Sequence, residues 1–213
     1  MIDIRNQSVY GWREAIRGMR NSWNSWERSD SIIDEKNGNI TLGFADYELM
    51  KKLASAHPSH AKYRRMITVY CNITAPMYWW KEFDTYKVGT VSNSQSSMHT
   101  ITKRDLTIDD FSTEHLHESS IDILKGLIQL MNHYAHEYVE SKNKEDWWQI
   151  IQLLPSSFNQ TRTIMLNYEV LSNIYENRKD HKLDEWRKFC DWIENLPHSN
   201  LITGKEQAGH CAG

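Results

Sequence analysis

Two histidines lie close enough on one predicted helix to bring two imidazoles to the same face. His133 and His136 are accompanied by Glu137 and Glu140, whose carboxylates are also metal ligands. A metal site needs a third or fourth ligand in a known geometry, and the sequence supplies no second matching pair. We therefore interpret these residues as a solvated helix face and predict no metal site. The chain has no glycine-rich phosphate loop, nucleophile elbow or Cys-x-x-Cys motif.

A second candidate is the stretch of residues 160–178, which we predict to be a helix. At 100° per residue, Asn167 and Arg178 fall on one face, at the two ends of an apolar stripe. That stripe consists of Val170, Leu171 and Ile174. An arginine at the C-terminus of a helix often does no more than interact with the helix dipole. A ligand-binding role and a structural role therefore both stay open.

A third candidate is a strand, a proline, a helix and a polar loop in immediate succession. Residues 65–74 alternate apolar and polar side chains, as a half-buried strand does. Pro76 then sits where the first turn of a helix tolerates proline, and an aromatic helix is predicted over residues 77–87. Residues 90–99 are rich in Ser, Asn and Gln and are predicted to be a loop. Such a loop can form a wall for a flat ligand, or it can be a plain surface loop.

The remaining elements must position these candidates, and most of them are predicted helices. Helical spacing predicts helices over residues 10–26, 46–56, 120–139, 144–153 and 182–193. Asn37-Gly38 supplies the turn of a hairpin over residues 31–42, and Asp46 is predicted to cap the next helix. Together the strands and helices predict an α+β fold. We expect one domain over residues 1–199 and a polar, flexible tail over residues 200–213.

Composition narrows the class of protein. The chain has 213 residues, of which 39% are hydrophobic, 11% aromatic and 25% charged, so a globular domain with a real core is expected. The net charge of −3 argues against a nucleic-acid partner, and no apolar run approaches the ~20 residues that a membrane helix needs. Three widely spaced cysteines favour a reducing compartment, and the N-terminus lacks a secretion signal. We therefore predict a cytoplasmic protein.

Two stretches of the chain resemble the flavin-dependent thymidylate synthases. In that family a strand runs into Ala-Pro, and a helix then ends in Gln-x-x-Arg-His-Arg. The family continues with x-x-Ser-x-Asn-Glu-x-Ser-x-Arg-Tyr. Here the strand ends at Ala75-Pro76, Glu82 matches the Gln and Thr90 matches the first Ser. The family's Arg-His-Arg is matched by Thr85, Tyr86 and Lys87.

The second stretch resembles the family's Leu-Pro, its Asn-x-x-x-Leu helix ending in Arg, and the His and Glu-Ile-Arg that follow. The matching residues here are Leu154-Pro155, Asn167, Leu171, Asn173, Arg178, His181 (one residue early) and Glu185-Trp186-Arg187. Upstream, His60 matches a Gly-His of the family, and Arg65-Met66 stand where many members have Glu-His.

The resemblance implies long helices packed on an antiparallel sheet, and a homotetramer with FAD at subunit interfaces. Family members use NADPH and methylenetetrahydrofolate to convert dUMP to dTMP. The implied cofactor-binding residues are Tyr86, Lys87, Thr90, Asn167, Asn173 and His60. The implied substrate-binding residues are Glu82, Thr85, Gln95 and Ser97. The implied catalytic residues are Arg178 and Ser96, and the family's role for Arg178 is to contact the pyrimidine and stabilise negative charge on it.

The chain also departs from the family's pattern around the substrate phosphate. The second Ser falls on Gln95 in ungapped register, or on Ser96 if one residue is inserted. The phosphate-binding Arg then becomes Ser97 or Met98, and the loss of an Arg–phosphate pair costs a few kcal/mol. One hypothesis, which follows from the resemblance, is that the protein catalyses the reductive methylation of dUMP or a related pyrimidine nucleotide. The alternatives are a non-catalytic protein that sequesters or senses a nucleotide or flavin, and a structural or partner-binding protein.

Overall fold

The computed structural model describes residues 2–34, 40–56 and 59–205. Contacts within the chain divide it into two compact units. The first unit comprises Met1–Arg5, Asn72–Thr85 and Ser92–Thr163. The second unit comprises Asn6–Cys71, Tyr86–Val91 and Ile164–Gly213. The single domain expected over residues 1–199 stays a prediction.

The elements are antiparallel strands and helices, which confirms the predicted α+β class. The strands are β1 (Asp3–Tyr10), β2 (Ile32–Ile33), β3 (Ile40–Thr41), β4 (Thr68–Pro76), β5 (Val91–Ser94) and β6 (Asn159–Asn167). The helices are α1 (Trp12–Arg20), α2 (Phe44–Ala56), α3 (Met77–Phe83), α4 (Ser97–Thr100), α5 (Glu118–Ser141), α6 (Lys144–Leu153), α7 (Tyr168–Arg178), α8 (Asp184–Glu194) and α9 (Asn200–Thr203). One sheet has the strand order β1-β4-β6-β5, and β2 pairs with β3. No helix within the described residues is long and apolar enough to cross a bilayer.

The core of the first unit lies largely between helices α5 and α6. Leu124, Ile128 and Met131 of α5 form a buried cluster with Ile150 of α6. These positions follow the 3.6-residue period that predicts an amphipathic helix. The predictions of helices over residues 120–139 and 144–153 are confirmed.

The core of the second unit surrounds α7, which packs against α8, α9 and the 3-10 turn Ala61–Arg65. Ile67, Val69 and Cys71 are buried, as the alternation in residues 65–74 predicts. Burial raises the pKa of Cys71 to about 12, so this thiol is not a nucleophile near neutral pH. The predicted helix over residues 182–193 corresponds to α8 and is confirmed.

The helix predicted over residues 160–178 is wrong in its first half. Residues 159–167 form strand β6, and only Tyr168–Arg178 is helical. Thr161 and Thr163 are β-branched residues suited to a pleated strand. Their hydroxyls pair across the sheet with Thr74 at 2.7 Å and with Asn72 at 2.8 Å. These hydrogen bonds to β4 favour a strand over residues 159–167, although the sequence pattern predicts a helix there.

Asp46 does not cap a helix, because α2 begins two residues earlier at Phe44. Asp30 caps α2 instead, and its carboxylate accepts the backbone N–H groups of Ala45 and Asp46 at 2.9 and 3.1 Å. Asp46 is fully buried and lies 2.6 Å from Nε of Arg20. Burial alone would raise the pKa of Asp46, but hydrogen bonds from two serines and from Arg20 hold the pKa below its ordinary value.

Several other elements differ from the predicted ones in stretches where the side chains are polar. Strand β1 was not predicted, and neither was β5, whose side chains are all exposed. The predicted loop over residues 90–99 contains β5 and the short helix α4, because β5 pairs with β6 at the edge of the sheet. The predicted helices over residues 10–26 and 77–87 end at Arg20 and Phe83.

The hairpin predicted over residues 31–42 is present as the antiparallel pair β2 and β3. Its turn, Asn37-Gly38, lies outside the described residues. The predicted tail begins too early, because residues 200–203 form α9, and Leu201 and Ile202 are buried. These two apolar side chains belong to the core of the second unit, and the residues beyond 205 are not described.

Candidate functional site

A cavity of about 520 Å³ lies in the second unit beside the first turns of α7. It is lined by Ala54, Ala61, Arg64, Arg65, Val88, Gly89, Asn167, Glu169, Val170, Ser172, Asn173 and Glu176. We call it the α7 cavity. Its size falls in the range of pockets that hold small organic ligands and cofactors, about 300–1,000 Å³. Two residues implied by the resemblance, Asn167 and Asn173, are part of this wall.

Asn167 is held in place as the N-cap of α7. Its side-chain oxygen accepts the backbone N–H of Val170 at 3.0 Å. The amide NH2 of Asn167 lies beside Gly89, where a Cβ would stand 2.9 Å from that nitrogen and 3.1 Å from Cγ2 of Val170. Gly89 also has φ +80°, which only glycine adopts without strain. Both features require glycine at this edge of the cavity.

The polar wall of the cavity has two cations and two anions. Arg64 lies 3.9 Å from the carboxylate of Glu169 and donates to the hydroxyl of Ser172 at 3.4 Å. Nε of Arg64 and Oε2 of Glu169 are buried and find no hydrogen-bond partner among the described residues. Arg65 and Glu176 add one further charge of each sign. The wall therefore offers hydrogen bonds with little net charge, which suits a neutral polar ring better than a bare phosphate.

Arg178 is positioned by aromatic side chains at the other end of α7. Its Nε donates to the hydroxyl of Tyr86 at 2.9 Å. The guanidinium carbon lies 5.6 Å from the ring centroid of Tyr86 and 4.8 Å from that of Trp186. Two ring faces and one hydrogen bond restrict the guanidinium, as cation–π contacts do. The structure thus brings together Arg178 and Tyr86, which the resemblance implied separately.

The remaining cofactor candidates of the second unit do not line the α7 cavity. His60 is exposed and immediately precedes the turn Ala61–Arg65, whose first residue does line it. Lys87 is exposed. The hydroxyl of Thr90 is buried and has no hydrogen-bond partner within the part of the chain that the structure describes. Of these residues, Thr90 has a polar atom that a ligand group could satisfy.

The substrate candidates lie in the first unit, where Gln160 links two of them. Nε2 of Gln160 donates to the backbone carbonyl of Gln95 at 2.8 Å and to the hydroxyl of Ser97 at 3.3 Å. Its Oε1 accepts from Nε of Arg162 at 3.0 Å. The structure therefore joins Gln95 and Ser97 to a guanidinium.

Arg162 is a residue that the sequence analysis missed. Its side chain is only 11% exposed, it donates to Asp84 at 2.7 Å, and it lies 4.2 Å from the ring centroid of Trp80. The mistaken helix over residues 160–167 hid it, because a strand assignment would have placed Gln160 and Arg162 on the same face.

The other substrate candidates and the catalytic candidate Ser96 have local contacts. Thr85 donates its hydroxyl to the carbonyl of Glu82 at 2.8 Å, within the turn that follows α3. Ser96 is exposed, and its carbonyl accepts the hydroxyl of Thr100 at 2.8 Å. The structure does not link Ser96 to Gln160 or Arg162 through a hydrogen bond.

His136 of α5 lies next to an aspartate of the preceding loop. Nε2 of His136 lies 2.7 Å from a carboxylate oxygen of Asp105, and both side chains are exposed. Among residues 2–34, 40–56 and 59–205, no three His, Cys, Asp or Glu side chains are grouped to hold a metal ion.

Comparison with known proteins gives a fold but no close sequence relative. No protein-family model matches the chain, and no curated protein matches it. Among solved structures, thymidylate synthase X (ThyX) from Helicobacter pylori with FAD and dUMP is similar, with a TM-score of 0.69 and 16% identity. The similarity covers 96% of this chain and 98% of that chain.

A second structure of flavin-dependent thymidylate synthase ThyX from Helicobacter pylori, complexed with FAD and dUMP, gives a TM-score of 0.64 at 16% identity. It covers 95% of this chain and 98% of that chain. The expected fold is therefore confirmed: this chain has the fold of flavin-dependent thymidylate synthases. At this identity the similarity shows the fold alone.

Proposed function

We propose that the protein binds FAD and catalyses the reductive methylation of dUMP or a related pyrimidine nucleotide. The observation that carries the proposal is the α7 cavity, where Asn167 and Asn173 form a polar wall on a fold similar to a synthase solved with FAD and dUMP. A homotetramer in the cytoplasm is part of the same proposal.

The residues of the α7 cavity fit the ring system of a flavin. A flavin ring is planar and carries hydrogen-bond donors and acceptors but no charge in its oxidised form. The cavity offers the amides of Asn167 and Asn173 beside the apolar side chains of Val88 and Val170. Glycine at position 89 lets the backbone approach the amide of Asn167 and Cγ2 of Val170 at the edge of the wall. These groups would hold and orient the ring, while Thr90 offers one more unsatisfied hydroxyl.

Arg178 would contact the pyrimidine of the nucleotide. A pyrimidine that is activated for attack at carbon develops negative charge on its ring oxygens. A guanidinium fixed by Tyr86 and Trp186 stabilises that charge without having to reorganise. Tyr86 would therefore act on the reaction through Arg178, as a positioning residue.

Within the first unit, Arg162 is the cation that would bind a nucleotide phosphate, in place of the family's loop arginine. Ser97 carries no charge, but Gln160 connects Ser97 to Arg162 by hydrogen bonds of 3.3 and 3.0 Å. A guanidinium binds phosphate with two parallel hydrogen bonds, although Asp84 competes for the same group.

Bound FAD would supply the redox chemistry, with NADPH as reductant and methylenetetrahydrofolate as one-carbon donor.

A turnover assay tests the proposed function. The protein is incubated with FAD, NADPH, methylenetetrahydrofolate and dUMP, and dTMP is measured by chromatography. We expect dTMP that depends on every component and that disappears with Arg178→Ala. Formation of dTMP by the variant at the wild-type rate would contradict the role of Arg178.

The second candidate function is a non-catalytic protein that binds a nucleotide or flavin. The observation in its favour is that Arg162 is already paired with Asp84 and that Ser96 forms no hydrogen bond with either of these two residues. Saturable binding of FAD or dUMP without dTMP under the full assay would favour this function over the first.

A further inference from the structure

A second cavity, of about 350 Å³, lies in the second unit against α1. We call it the α1 cavity. Its wall includes Arg13, Arg17 and Arg20 of α1, together with Trp26, Ile16 and Ile33. It shares no lining residue with the α7 cavity, so what it binds is independent of the proposed function.

The three arginines give the α1 cavity a positive charge. Their spacing of four and three residues places them on one face of the helix. Arg20 is neutralised by buried Asp46 and also donates to the carbonyls of Ser25 and Arg28 at 3.2 and 3.0 Å. Among the described residues, no acidic side chain lines the cavity. Within the described part of the chain, Arg17 forms no hydrogen bond or ion pair, so its guanidinium can bind an anion.

Trp26 gives the same cavity a planar apolar surface. Its indole N–H donates to the side-chain oxygen of Asn21 at 2.9 Å, which fixes the orientation of the ring. The side chain is 47% exposed, and it stacks on no other ring within the described residues. Ile16 and Ile33 extend the apolar wall. A base placed against such an indole is held by stacking.

We infer that the α1 cavity binds a small anion that carries a planar ring, of the class of nucleoside monophosphates. Arg17 binds the phosphate and Trp26 stacks on the base, while Arg20, whose charge is neutralised by Asp46, forms part of the wall. The buried ion pair of Arg20 with Asp46 holds this wall rigid, because two hydroxyls, of Ser29 and Ser31, also donate to Asp46 at 2.8 and 2.7 Å. Neither feature alone would select a nucleotide, since the guanidinium accepts any anion and the indole any flat ring.

Isothermal titration calorimetry with AMP at low ionic strength tests this site, with adenosine and inorganic phosphate as partial ligands. AMP is expected to bind more tightly than either part by about tenfold or more. Arg17→Gln should lower the affinity for AMP by about tenfold and leave the affinity for adenosine unchanged. Trp26→Leu should weaken both AMP and adenosine. Both side chains are exposed, and thermal unfolding verifies that the variants remain folded.

Two control variants assign the binding to the α1 cavity. Lys52→Gln removes an exposed cation that lines neither cavity, and it should leave AMP binding unchanged. Asn173→Ala alters only the α7 cavity and should also leave AMP binding unchanged. Binding of AMP that Asn173→Ala weakens and Arg17→Gln does not would overturn the inference. Equal binding of AMP and phosphate, or no binding of AMP, would overturn it as well.

Discussion

The α7 cavity of the second unit and the residues around Gln95 in the first unit differ in what fixes their side chains. Asn167 is fixed by the backbone of its own helix, and Arg178 by two aromatic rings. Around Gln95, by contrast, it is the backbone that is fixed, through an N–H donated to Thr161 at 2.9 Å, while Ser96 is exposed. The side that matches the family in residue type is thus also the side with preorganised polar groups. The other side depends on Gln160 and Arg162, which the family pattern does not point to.

The largest effect is expected from Arg178→Ala. Loss of one fixed cationic donor at the developing charge should lower turnover by about 10²–10³-fold, as loss of an oxyanion donor does in other enzymes. Arg178→Lys retains charge but loses the fork and should recover only part of the rate. The measurement is dTMP formation at saturating dUMP. Unchanged turnover in Arg178→Ala would place catalysis elsewhere in the molecule.

Arg162→Gln should lower the affinity for dUMP by about tenfold to a hundredfold, which is the range that the loss of a charged hydrogen bond covers. Deoxyuridine lacks the phosphate and serves as the matched ligand. Arg162→Gln should therefore leave the affinity for deoxyuridine unchanged. Binding constants by calorimetry for both ligands give the comparison. Equal losses for dUMP and deoxyuridine would mean that Arg162 supports the structure and does not contact the phosphate.

Gly89→Ala should lower the free energy of unfolding by about 1–3 kcal/mol, because alanine is strained at φ +80° and its Cβ would strike Asn167. Gly126→Ala in α5 is the matched control, since nothing lies within 4 Å of a Cβ there. That control should raise stability by about 0.5–1 kcal/mol. Chemical denaturation measures both. A neutral Gly89→Ala would show that the contact with Asn167 is not tight.

The smallest effects separate two roles of Asn167. Asn167→Ala removes the N-cap of α7 and should cost about 1 kcal/mol of stability together with FAD affinity. Asn167→Asp keeps an oxygen that caps the helix, so stability should hold while the amide NH2 beside Gly89 is lost. Denaturation and FAD titration are compared for the two variants. If Asn167→Asp binds FAD like the wild type, Asn167 is only a cap.

The long helices could be predicted from sequence because their apolar faces repeat over several turns. Helices α5 and α8 each bury residues at helical spacing, and tertiary packing agrees with the local pattern. Strand β6 could not be separated from α7, because Ile164 and Leu166 share a face at the strand period, whereas Ile164 and Leu171 share a face at the helical period. Only the cap at Asn167 marks the boundary between the two elements.

The polar strands and the buried ion pair escaped prediction for a different reason. Strands β1 and β5 have few buried side chains, so alternation is absent, and backbone pairing alone defines them. The pair of Arg20 and Asp46 joins residues far apart in sequence, and charge gives no local sign of burial. At the candidate site, the resemblance supplied Asn167, Asn173 and Arg178, whereas Arg162 required the strand register.

The most direct test of the account is a titration of the protein with FAD, followed by visible absorption after removal of unbound flavin. We predict a retained flavin band that saturates at one FAD for each chain and that Asn173→Ala weakens, with Lys52→Gln unchanged. Absence of retained flavin in the wild type would contradict the assignment of the α7 cavity as a flavin site, and with it the proposed redox chemistry.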